Sequence, residues 1–268
     1  MTSEPVDVRP PAVAGSFYPS DPDELRRALR SAFDHAMPCR ANAAVPEAII
    51  VPHAGFVYSG PVAASAYERL VSARSTIRRV VLLGPSHRVP VRGLAVPSVD
   101  AFETPLGLVP IDATARSQVL DLPAVSVDDR AHAIEHGLEV QLPFLQTVLD
   151  DFVLLPFSVG DASIEDVATV LDTCWGGHDT LVVISTDLSH YHRYEDAVVL
   201  DARTAAAIVA RRPDEVRDVD ACGSRPLRGL LHCAQDRNLA VEQIDVRNSG
   251  DTAGDHERVV GYGAFAVV

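Results

Sequence analysis

Residues 78–90 read RRVVLLGPSHRVP. Two arginines lead into an unbroken apolar run that stops at Gly84-Pro85 and delivers His87 just beyond it. The run does not alternate between apolar and polar residues, so it reads as a strand buried on both faces. EAIIVPHAG (47–55) and DTLVVISTDLSHYH (179–192) have the same form. Each closes in a polar turn, placing His53 after the first and Asp187, His190 and His192 after the second. DFVLLPFSV (151–159) is a fourth strand of this kind.

Helical segments separate these strands. Asp21-Pro22-Asp23-Glu24 opens one that runs to about Ala36, with an acidic cap, a proline in the first turn and acids at the positive end of the dipole. A second is expected from about Gly60 to Ala73. Others fall in 113–120, 137–149, 163–175, 195–210 and 224–236. Residues 94–112 turn often and predict a hairpin-like excursion, and 239–248 and 259–268 supply the last strands. Buried strands alternating with helices predict a single α/β domain whose mostly parallel central sheet is flanked by helices. Ligands bind such sheets outside the carboxyl ends of the strands, which puts His53, His87, Asp187 and His190 at one edge.

Composition narrows the chemistry. The 268 residues are 47% apolar and 22% charged, the mix of a soluble globular protein. The net charge of −14 disfavours a nucleic-acid partner. All 23 basic residues are arginines, which excludes lysine Schiff bases, pyridoxal chemistry and the phosphate-loop lysine together. No G-x-S-x-G elbow and no G-x-G-x-x-G after a strand is present, so a serine hydrolase and a dinucleotide fold are not indicated. The four cysteines (Cys39, Cys174, Cys222 and Cys233) form no CxxC pair, consistent with reduced thiols and a cytoplasmic location. Residues 48–67 carry no formal charge, but Pro52, Gly55, Gly60 and Pro61 break them, so no membrane span is expected. Residues 1–12 are expected to be extended or flexible.

Two further segments offer functional groups. EHGLEVQLPFL (135–145) carries His136 and Glu139 at i, i+3, on one face of a helix. Cys222 lies in DACGSRPLRGLL (220–231), just before a helix start, where the dipole and Arg225 are expected to favour the thiolate. NSGDTAGD (248–255) reads as a surface loop. Imidazole and thiolate together bind zinc, copper or iron.

AVAGSFYPSDPDEL, VPHAGFVYSGPVAASAY, LLGPSHRVP, FETPLG, EHGLEVQLPFL, STDLSHYH, ACGSRPL and NSGDT, in this order, resemble the Memo protein family, whose prokaryotic members are also called AmmeMemoRadiSam system protein B. The resemblance runs from about Val13 to the carboxyl terminus. It implies a fold similar to class III, LigB-type, extradiol dioxygenases. It further implies a pocket in which His53, His87 and Cys222 are the metal ligands, a cysteine standing where those dioxygenases use a carboxylate. Asp187, His190 and His136 fall at its other pocket positions, with His190 as acid/base, oriented by Asp187. Gln141 stands where some members have histidine. The implied function is iron or copper redox chemistry of oxygenase-like type, with zinc as the alternative metal. A zinc-dependent hydrolase and an adaptor-type module binding a peptide or phosphopeptide, with Arg88 and Arg225 flanking the pocket, are the rival readings; a small-molecule or peptide ligand is expected, and no membrane or nucleic acid.

Overall fold

The computed structural model describes residues 6–40 and 43–268. The first half contains β1 (Val8–Arg9), α1 (Pro22–Asp34), β2 (Ala48–Val51), α2 (Phe56–Tyr67), β3 (Arg79–Pro85), β4 (Leu94–Val96), β5 (Ala101–Thr104), β6 (Gly107–Pro110), α3 (Ala113–Val119) and β7 (Val125–Val127). The second contains α4 (Arg130–Ala133), α5 (His136–Glu139), α6 (Leu142–Val148), β8 (Val153–Val159), α7 (Ile164–Cys174), β9 (Thr180–Ser185), β10 (His190–His192), α8 (Tyr194–Val209), α9 (Ser224–Asp236), β11 (Val241–Asn248) and β12 (Val259–Val267).

The main sheet has nine strands, in the order β10-β12-β2-β9-β3-β8-β4-β7, with β11 on β12. Its centre is parallel: β2, β9, β3 and β8 all run the same way. The margins are antiparallel, where β12 meets β2 and β4 meets β8. The sheet is therefore mixed: the expected parallel arrangement holds in its centre, which includes the three strands that lead to His53, His87 and Asp187, and again between β4 and β7. The 94–112 excursion leaves the main sheet after β4 and makes the hairpin β5–β6, to which β1 adds in parallel.

Alternate residues of each central strand enter different layers of core. Ile50, Val81, Leu83, Phe157 and Ile184 meet Val167 and Leu171 of α7 and Leu227, Leu230 and Leu231 of α9. Ile49, Val80, Leu82 and Val183 meet Leu25 and Leu29 of α1, Val62 of α2 and Phe144 of α6. Covering both faces is what allows the strands to be apolar throughout.

Two helices depart from their expected bounds. The second starts at Phe56, before Pro61, because the free Phe56 N–H finds the Phe17 carbonyl at 2.8 Å. The expected helix over 137–149 is split into α5 and α6. Gln141 turns its side chain to Pro52 O, and Pro143 has no N–H to continue an earlier helix. Of the first 12 residues, 6–12 are described, and Arg9 is buried, with β1 paired to β5. Among the described residues no helix is long and apolar enough to cross a membrane.

Candidate metal centre

β2, β3 and β9 end side by side, and the turns after them build the floor of one cavity. His53 follows β2 and is buried; His87 follows β3. His136 opens α5, one residue after Glu135. The ring centroids lie 5.2 Å apart for His53–His87, 5.4 Å for His53–His136 and 4.6 Å for His87–His136. The three rings offer nitrogens that all lie within 4.8 Å of one another. Cys222 Sγ is 3.2 Å from His53 Nε2. Gly223 makes that approach feasible, since a Cβ there would stand 2.7 Å from Thr186 Cβ and 2.8 Å from the Ser185 carbonyl.

Hydrogen bonds fix which nitrogens face the cavity. Gln141 Nε2 donates to Pro52 O at 2.9 Å and to Ser185 Oγ at 2.8 Å. The single Ser185 hydroxyl proton goes to Gly137 O at 2.5 Å. Ser185 Oγ can therefore only accept from His53 Nδ1, 2.9 Å away, so the Nδ1 of His53 carries the proton and its Nε2 carries the lone pair. His87 is held likewise: its Nδ1 lies 2.8 Å from Glu135 Oε1 and its backbone N–H donates to Glu135 Oε2 at 2.7 Å. Burial would raise the Glu135 pKa, but the bonds from His87 and Gly137 bring it down to about 2, so it is a carboxylate that accepts the His87 Nδ1 proton. A ligating imidazole is typically anchored through its other nitrogen in this way. His136 Nδ1 is 3.4 Å from Glu135 Oε1 without hydrogen-bond alignment, which leaves this buried nitrogen without a partner. Burial, reinforced by the neighbouring imidazoles, lowers the pKa of His53 to about 3 and of His136 to about 4. Both are neutral near pH 7, as metal ligands must be.

Cys222 differs from expectation in its electrostatics. Arg225 pairs with Asp161 at 2.6 Å and lies 3.7 Å from Asp218, so its charge is already engaged. Burial, then the Asp187 carboxyl, push the Cys222 thiol up to about 12. The thiol is thus protonated, and its proton points to His53 Nε2. Asp187 is buried, its Oδ1 accepting the His53 backbone N–H at 2.8 Å, and burial raises its pKa. His190 lines the same cavity, but its Nδ1 is held by the Leu188 carbonyl at 2.8 Å and not by Asp187. His192 is exposed. Glu139 does not pair with His136; it turns the other way, to Arg9 and Tyr18. Sequence reasoning missed Glu135, Ser185 and the role of Gln141. The signal available was position, because Ser185 ends β9 and Glu135 directly precedes a candidate histidine.

The cavity is about 760 Å³. Phe17, Tyr58, Tyr262 and Val260 form its walls, and Tyr191, Val219, Asp218 and Arg258 are among the other lining residues. The 248–255 loop, expected at the surface, contributes Ser249, Gly254 and Asp255.

Two results should follow. Glu135→Gln should weaken metal binding about 10–100-fold, because His87 loses its carboxylate anchor; titration against a chelator measures this, and unchanged affinity would show that His87 is held without Glu135. The second result concerns acid. His132, away from the cavity, is buried with its Nε2 on Ala95 O at 3.0 Å, and burial lowers its pKa to about 4. With unfolded values near 6.5, His53, His132 and His136 take up protons more readily when unfolded. Stability from these groups is complete above about pH 6.5 and falls as pH drops toward their folded values. The melting temperature of the metal-free protein should therefore fall between pH 7 and 5, with a shallower fall in His132→Gln. A pH-independent wild type would contradict this.

The fold and the cavity define an α/β protein with a histidine-rich pocket suited to a metal ion. The chain belongs to the Memo family: the family model described as Memo-like protein matches residues 9–266. It is 37% identical to a MEMO1 family protein of Aquifex aeolicus over 270 residues, covering 95% of this chain and 97% of that one. A MEMO1 family protein of Ignicoccus hospitalis is 36% identical, with 96% and 97% covered. The crystal structure of an uncharacterized protein from Escherichia coli shares the fold at a TM-score of 0.52 and 14% identity, covering 82% of this chain and 99% of that chain.

Proposed function

We propose that the cavity is a metal-dependent redox centre of oxygenase-like type, with iron or copper held by His53, His87 and His136 and with Cys222 beside them as a further donor. One observation carries the reading: three imidazoles with nitrogens within 4.8 Å of one another, and a thiol 3.2 Å from one of them, on the floor of one cavity. Imidazole with thiolate suits iron and copper as well as zinc. His136, expected at a further pocket position outside the metal ligands, is counted here among the ligands. A metal ion in this position would supply an electron-exchanging Lewis-acid centre for dioxygen or a small organic molecule.

The chain's own groups do the rest. Ser185 and Glu135 keep the protons of His53 and His87 on Nδ1, so the Nε2 lone pairs are ready without rearrangement. Cys222 would have to release its thiol proton to the solvent of the cavity in order to join the donor set. His190, anchored through Nδ1 to Leu188 O, keeps Nε2 free to take or return a proton of a bound substrate. Asp187, with its raised pKa, holds the His53 backbone and is a second proton carrier beside it. Phe17, packed on His136 at 4.7 Å, together with Tyr58 and Tyr262 restricts water at the reacting centre.

A second reading, zinc-dependent hydrolysis, is favoured by the same three imidazoles, which are also a ligand set of catalytic zinc. The test is elemental analysis of protein purified aerobically and anaerobically, followed by competition between iron, copper and zinc. Retained iron or copper that cycles between oxidation states supports the redox centre. Retention of zinc alone supports the hydrolase, and tight peptide binding without metal supports the adaptor.

A further inference from the structure

Tyr191 is the extra residue of a β-bulge. β10 pairs with β12 through His190↔Val260 and His192↔Val259, and the register shifts between those two pairs. Tyr191 also has φ 62, a left-handed backbone that a bulky side chain adopts only at a cost. The result is a tyrosine that lines the cavity and is nonetheless 64% exposed. Bulges beside functional sites re-aim side chains in this manner. Arg258 lies over the Tyr191 ring, its guanidinium carbon 5.0 Å from the centroid. Among the described residues no carboxylate lies within 4.0 Å of that guanidinium, although Asp255 and Asp218 line the same cavity. Among the described residues Arg258 is the one arginine lining the cavity.

We infer that Arg258, held on Tyr191, is the recognition group for a substrate carboxylate, and that the cavity takes a small organic monoanion with an aromatic or planar apolar body. The guanidinium fork matches a carboxylate, and the ring beneath limits its conformations before the ligand arrives. Phe17, Tyr58, Val219, Val260 and Tyr262 offer apolar and aromatic surface to the body. A monoanion is selected over a dianion because a single arginine shares the cavity lining with the carboxylates of Asp187 and Asp255, in a chain of net charge −14. The carboxylate end at Arg258 leaves the other end of the molecule toward the three histidines. This inference deepens the redox reading by naming its substrate class, and the binding itself does not require the metal.

Isothermal titration of the full chain with benzoate, benzamide, phenyl phosphate and inorganic phosphate tests it, with and without added zinc. Benzoate should bind at least about tenfold more tightly than benzamide, as one charge-assisted hydrogen-bonded pair predicts. Arg258→Gln should remove that preference, Tyr191→Phe should keep it, and Tyr191→Ala should weaken benzoate while leaving benzamide unchanged. Equal binding of benzoate and benzamide, or an unchanged preference in Arg258→Gln, would overturn the assignment. So would tighter binding of phenyl phosphate or inorganic phosphate, which would make this a general phosphate site. Equilibrium dialysis of the same proteins with zinc separates the two claims. Arg258→Gln should keep wild-type metal binding; a wild type that prefers benzoate but takes no metal would sink the metal centre and leave the carboxylate site standing.

Discussion

His53→Ala should lose metal binding by more than the roughly 10–100-fold that removal of an outer partner costs, because it deletes a ligand atom and not its support. His53 is the buried member of the group, and its Nε2 lies among the other imidazole nitrogens and 3.2 Å from Cys222 Sγ, so the substitution removes the donor at the centre of the set. The strand that precedes it is unaffected: Ala48, Ile49, Ile50 and Val51 stay paired to β9 and packed in the core. Circular dichroism should therefore be unchanged while dialysis shows the loss. His190→Ala is the companion. It should keep metal affinity within a few fold and abolish whatever redox turnover is assayed, because His190 Nδ1 is tied to a carbonyl and its ring is not among the three clustered imidazoles. Metal release by His190→Ala as complete as by His53→Ala would make His190 itself a ligand.

Glu139→Ala should destabilise the fold by about 3–5 kcal/mol, the cost of stranding a buried charge. Glu139 is fully buried and accepts from Arg9 Nη1 at 2.5 Å, the Tyr18 hydroxyl at 2.5 Å, Ala12 N at 2.8 Å and Val13 N at 3.0 Å. Arg9 stays buried after the substitution, still bonded to His132 O and Glu135 O, but without a counter-charge. The same contacts carry the chain to Phe17, which packs on His136. Denaturant unfolding measures the loss, and a change below about 1 kcal/mol, the level of a surface pair, would contradict the account. If the variant does not fold, Arg9→Met with Glu139→Leu should restore much of the stability, because an apolar pair leaves no buried charge.

The central strands were legible in the sequence because burial on both faces leaves a short continuous apolar run rich in β-branched residues, and proline or glycine closes the runs of β2 and β3. The histidines were legible for a related reason: the carboxyl ends of parallel strands converge, so polar residues there become neighbours. The antiparallel margins were not, since strand direction at an edge is set by short connections and not by apolar pattern. The Cys222 thiol was misread because its proton affinity depends first on its burial, then on Asp187 from the turn after β9, while the arginine expected to help it is engaged by other aspartates. The partner of His190 is a main-chain carbonyl, which no side-chain pattern reveals. Glu135 was overlooked because i, i+3 spacing pointed to Glu139, whereas α5 is a single turn from which Glu139 faces Arg9.

The central claim is that His53, His87 and His136 share one metal ion. Crystals of protein reconstituted anaerobically with iron, and separately with copper or zinc, read it directly through anomalous scattering. The account predicts one peak on the cavity floor, with nitrogens of all three imidazoles about 2.0–2.1 Å away and Cys222 Sγ, where it joins, about 2.3 Å away. A peak bound elsewhere, or no peak among these imidazoles in protein saturated with each metal, would contradict it.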